Sequence, residues 1–70
     1  MKTYPMIYGH DDGGTPGRTT LQAINDENAI DQARRFVADG YRNSTWATLE
    51  LGESAYTAHN VHGQAVGDRV

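Results

Sequence analysis

Asn25–Gly40, NDENAIDQARRFVADG, is the one stretch of the chain that declares its own conformation. Asn25 can accept from the free backbone N–H groups of a first helical turn, and Asp26 and Glu27 place negative charge at the positive end of the helix dipole. Ala29, Ile30, Ala33, Phe36 and Val37 recur at spacings of three and four and so form one apolar stripe. Asp31, Gln32, Arg34, Arg35 and Asp39 fall mainly on the remaining surface. Asp31 precedes Arg34 and Arg35 by three and four residues, within reach for surface ion pairs. Gly40 supplies the left-handed residue that ends such helices. At about four turns the helix is too short to hold alone in water, so flanking strands must cover its stripe.

Toward the N-terminus, Thr19–Ile24 (TTLQAI) runs straight into the helix cap. It reads as a strand with Leu21 and Ala23 inward and Ile24 placed to staple the first turn. Residues 10–18, HDDGGTPGR, collect three glycines, a proline and two aspartates and are expected to form a flexible loop. Lys2–Gly9 (KTYPMIYG) alternates Tyr4, Met6 and Tyr8 against Thr3, Pro5 and Ile7. This is a first strand, in which Pro5 belongs at an edge or among the first residues.

Toward the C-terminus, Thr45–Leu51 (TWATLEL) puts Ala47, Leu49 and Leu51 on one face and Trp46, Thr48 and Glu50 on the other. A two-residue turn at Gly52 and Glu53 pairs Leu51 with Ser54, Leu49 with Tyr56 and Ala47 with Ala58 on the helix side. The same register sets Trp46 opposite His59 and Thr48 opposite Thr57 on the far side. A turn over Val61–Gly63 leaves Gln64–Val66 as a short last strand and residues 67–70 as a frayed C-terminus. The expectation is one α+β domain over residues 1–70. An antiparallel sheet of four to five strands carries one helix packed on one face, in ββαββ order.

Seventy residues lie near the size at which a single core gives only a few kcal/mol of net stability, so a homodimer is compatible with the chain. The absence of cysteine excludes a disulfide framework, a thiolate zinc site and a thiol nucleophile. No signal-like segment or run of ~20 apolar residues is present, which makes a soluble, cytoplasmic protein with no membrane contact the default. A net charge of -3 and a pI near 5.4 argue against a dedicated nucleic-acid binder.

The bare side of the sheet is the first candidate site. Trp46 there, flanked by Thr48, Thr57 and His59, has the character of an interface anchor. The bland alternative is cross-strand packing, or a register slip that puts the indole in the core. His10, Asp11, Asp12, His59 and His62 form no closed metal-ligand set, because His59 and His62 are three apart in extended chain and face opposite ways. GGTPGR lacks the Lys-Ser/Thr of a phosphate loop and leads into a strand instead of a helix N-terminus. No motif gathers a serine, histidine and aspartate for nucleophilic catalysis. The expectation is therefore a non-enzymatic protein with no metal and no cofactor. Arg34, Arg35, Tyr41 and Arg42 make a small basic and aromatic patch near the helix end. It suits an acidic partner or nucleic acid, and equally suits the helix dipole.

The element order and the run Asn28–Val37, with Gln32-Ala33-Arg34-Arg35 at its centre before a sheet hairpin, resemble the small single-helix anti-CRISPR proteins of phages and mobile elements. That resemblance implies a binding or inhibitory protein that acts by protein-protein contact on a nucleic-acid-handling complex, an anti-defence inhibitor. The opening MKTYPMIYGHDDGG is similar to the first strand of HicB-type antitoxins, but the Pro-Asp-Leu-Pro-Gly pattern of their second strand is missing. The rival expectation is a small nucleic-acid-binding or antitoxin-like module that uses Arg34, Arg35 and Arg42.

Overall fold

The computed structural model of the chain describes residues 1–11, 13–40 and 44–69. Its elements are β1 (Lys2–Gly9), β2 (Gly17–Ala23), α1 (Asp26–Ala38), β3 (Trp46–Glu50), β4 (Ala55–Val61) and β5 (Gln64–Arg69). Among the described residues the fold is α+β: five strands form one antiparallel sheet in the order β2-β1-β3-β4-β5, and α1 packs on one side of it. β2 and β3 flank β1, so the helix that joins them crosses above it. No described helix is long and apolar enough to cross a membrane.

Asn25 caps α1 as its sequence position predicts, with Oδ1 accepting from Asn28 N–H at 2.8 Å. Asn28 Oδ1 reaches back to Ile24 N–H at 3.3 Å, so two free donors of the chain entry are satisfied reciprocally. Ile24 itself makes no staple. It is 67% exposed, and the entry of the chain is held by this polar exchange instead. Asp31 pairs with Arg35 at 3.3 Å, while Arg34 turns to the sheet instead.

The apolar stripe divides by depth: Ala29, Ala33 and Val37 are buried against the sheet, with Ile30 and Phe36 packed at its margins. Ala23, Ala47 and Ala58 face them from the strands, and small side chains on both sides let helix and sheet approach closely. Met6, Leu49 and Val37 are the largest side chains fully enclosed. Tyr4 and Tyr56 complete the core, and Tyr8 meets Phe36 with ring centroids 5.0 Å apart. Asp26 ties the start of α1 to β1 and to the β5 edge. Its Oδ1 accepts from Tyr4 Oη at 2.8 Å, and its Oδ2 from Arg69 Nη2 at 3.3 Å.

The β3–β4 register is the one the turn chemistry predicts: Leu49 faces Tyr56, Ala47 faces Ala58, Thr48 faces Thr57 and Trp46 faces His59. Leu51 N–H donates to Ser54 and Asn60 N–H to Thr45, which makes these and every second pair between them the hydrogen-bonded ones. Carried across the sheet, that alternation turns the backbone groups of Ala65, Gly67 and Arg69 outward from β5, and those of Arg18, Thr20 and Gln22 outward from β2. The helix closes one outward carbonyl at each edge. Gln32 Nε2 donates to Gln22 O at 2.9 Å and Arg34 Nη2 to Ala65 O at 3.3 Å. Edge strands left open are templates for unwanted pairing, and these two clasps shorten both.

Three expectations need correction. β1 is not an edge strand and Pro5 is its fourth residue. The β1–β3 ladder runs only over Met6–Gly9, so the absent N–H of Pro5 faces the side of β1 where pairing has ended. The loop expected over 10–18 is shorter, because Gly17 and Arg18 already pair with β1, while Ile24 falls outside β2. The C-terminus expected to fray over 67–70 is strand through Arg69, with Val70 outside the described residues. Gly67 lies under the Tyr56 ring and Arg69 reaches Asp26, which holds β5 to both layers.

A candidate protein-binding face

Each strand sends alternate side chains to the side away from α1. β1 contributes Thr3, Pro5 and Ile7, β3 contributes Trp46, Thr48 and Glu50, and β4 contributes Thr57, His59 and Val61, with Val66 and Asp68 from β5 and Arg18 from β2. The aromatic set of β1 goes to the helix side instead, since Tyr4, Met6 and Tyr8 pack into the core. Among the described residues the bare face therefore has one large aromatic anchor, Trp46.

Trp46 is half-buried, and its immediate neighbour explains why. Gly9 pairs with Trp46, and the indole lies flat across it; a Cβ added to Gly9 would fall 2.6 Å from Trp46 Cζ2. A residue without a side chain is required at that close approach. The ring thus covers backbone with one side and presents the other outward. Thr48 and Thr57 share a hydrogen bond between hydroxyls at 3.1 Å, which leaves the centre of the face level and uncharged. Ile7, Val61 and Val66 stand 38, 46 and 57% exposed around this centre. Pro5, Ile7, Arg18, Thr48 and Glu50 border a shallow cleft of about 290 Å³.

The residues expected to form the partner site, Trp46, Thr48, Thr57 and His59, do lie together on one surface. Sequence reading missed Ile7, Val61 and Val66. The alternation in β1 already put Ile7 opposite the tyrosines, whereas Val61 falls in the expected turn and Val66 shows its face only through its pairing with His59.

Of the basic patch, Arg34 donates to the Ala65 carbonyl at 3.3 Å and Arg35 pairs with Asp31 at the surface, while Tyr41 and Arg42 lie outside the described residues. Among the described residues no group of three or more His, Cys, Asp or Glu side chains comes together to hold a metal ion. His59 is on the bare face, whereas His62 occupies the β4–β5 turn with a φ of 54°. Comparison with protein-family models, with curated proteins and with solved structures finds no match to this chain.

Proposed function

We propose that the chain is a small, non-enzymatic binding or inhibitory protein that acts by protein-protein contact through the bare face of its sheet. Trp46 is the anchor, with Thr48, Thr57 and His59 around it. One observation carries the reading: Ile7, Val61 and Val66, exposed aliphatic side chains, gather on the same side as the outward indole. Exposed apolar side chains grouped with an aromatic on one polar-edged surface are the usual make-up of an interface. The finer expectation, an anti-defence inhibitor that sits on a nucleic-acid-handling complex in the cytoplasm, comes from the resemblance to small anti-CRISPR proteins and belongs to the same proposal.

Affinity capture from the native host with wild-type, Trp46→Ala and Val66→Lys proteins tests it. Both variants should keep the far-ultraviolet circular dichroism of the parent and lose the captured protein. Equal capture by all three proteins would remove this face from consideration.

A further inference from the structure

Pairing across all five strands puts Arg18, Ile7, Thr48, Thr57 and Asp68 in one transverse row. A guanidinium stands at the β2 edge, a carboxylate at the β5 edge, and the two threonines lie between them. In the next row Trp46 sits on the middle strand between Gly9 and His59. A two-fold axis along β3 lays β2 of one copy over β5 of another and keeps each row opposite itself. Arg18 then meets Asp68 of the second copy at both ends of the row, and the two indoles meet on the axis. An interface between identical chains must be self-complementary in this way, whereas one for an unrelated protein need not be.

We propose that this face closes on a second copy of the chain, giving a symmetric homodimer held by Trp46 on the two-fold axis, at the start of the middle strand, and by two Arg18–Asp68 pairs at the rims. The proposal rests on the reading of the bare face as the binding surface and names its occupant. Five strands about 4.8 Å apart and roughly 20 Å long present a patch on the order of 500 Å² in projection. With side-chain relief the pair buries about 1,200 Å², the lower end of what stable complexes use. The core supplies a reason for pairing: Ala23, Ala29, Ala33, Ala47 and Ala58 give the helix side little apolar bulk, and the larger Trp46, Ile7, Val61 and Val66 remain to be buried. Glu50 ends β3 on the same face, so it faces its own copy at the rim of the interface. That contact is repulsive and sets a limit on affinity.

Sedimentation equilibrium and light scattering on the whole chain, from micromolar to millimolar, test the proposal. The wild-type protein should pass from monomer to dimer, with Trp46 emission moving to shorter wavelength over the same concentrations. Arg18→Asp and Asp68→Arg should each weaken the dimer tenfold or more, and an equimolar mixture of the two should restore it, because opposite charges then face each other at both rims. Glu50→Gln should tighten it. A chain that stays monomeric throughout, or a dimer indifferent to both reversals, or a mixture that fails to restore it, overturns the proposal. Circular dichroism checks that each variant is folded; all three positions are exposed. If the wild type is monomeric while Trp46→Ala still loses a captured protein, the dimer falls and the binding face stands. If Trp46→Ala changes neither capture nor self-association, both fall.

Discussion

The two faces of this sheet are built from the same strands with opposite rules. On the helix side, alanines occupy the crossing and the tyrosines fold away toward the margins, Tyr8 over Gly17 and Tyr56 over Gly67. On the bare side, Trp46 lies over Gly9, and branched aliphatic residues and threonines spread around it. The same cross-strand device, an aromatic roofing a glycine, thus appears on both faces with different results. Beneath the helix it completes a sealed layer. On the other side it props an indole outward.

The sharpest way to break the contrast is to truncate adjacent residues of β3 that point in opposite directions. Leu49→Ala opens a cavity among fully enclosed neighbours and should cost about 2–5 kcal/mol, enough to unfold much of a 70-residue chain at room temperature. Thr48→Ala removes one half-exposed hydroxyl pair and should cost about 1 kcal/mol or less. Urea titrations of the two variants measure both. Comparable losses would mean that the bare face is as much a part of the core as the covered one.

A smaller effect is expected at the junction of backbone and indole. Gly9→Val forces Trp46 off its seat and should destabilise the fold by about 1–3 kcal/mol, the usual range for overpacking. The single tryptophan reports this directly, since its emission should shift toward that of free indole in water. Emission identical to wild type would show that the ring does not depend on Gly9.

Much of the covered face was legible in the sequence because its determinants are local. The cap at Asn25, the spacing of Ala29, Ala33 and Val37, and the Gly52-Glu53 turn each act within a few residues, and together they fix the β3–β4 register. The placement of Trp46 on the opposite side follows from the same alternation. What stayed hidden depends on partners distant in sequence. Nothing near Gly67 announces that Tyr56 will cover it, and Arg69 finds Asp26 across 43 positions, so residues 67–70 read as a loose end from sequence alone. The interior position of β1 was equally invisible, since Pro5 obeys its rule only in relation to where β3 stops.

The weakest expected effect at neutral pH concerns the clamp that fastens the covered face, and it emerges in alkali. Burial, and then the hydrogen bond to Asp26 and its negative charge, raise the Tyr4 hydroxyl above its ordinary value of 10.0. The folded protein therefore holds this proton more tightly than the unfolded chain. The associated stability is complete below about pH 10 and is lost as pH rises through the elevated folded value, when phenolate would face carboxylate. Tyr4→Phe lacks the hydroxyl, so it should begin slightly less stable at pH 7 and lose less stability than wild type between pH 9 and 11. Thermal melts of the two proteins at matched pH provide the check; parallel alkaline declines would mean that the Tyr4–Asp26 bond does not link the first strand to the helix in solution.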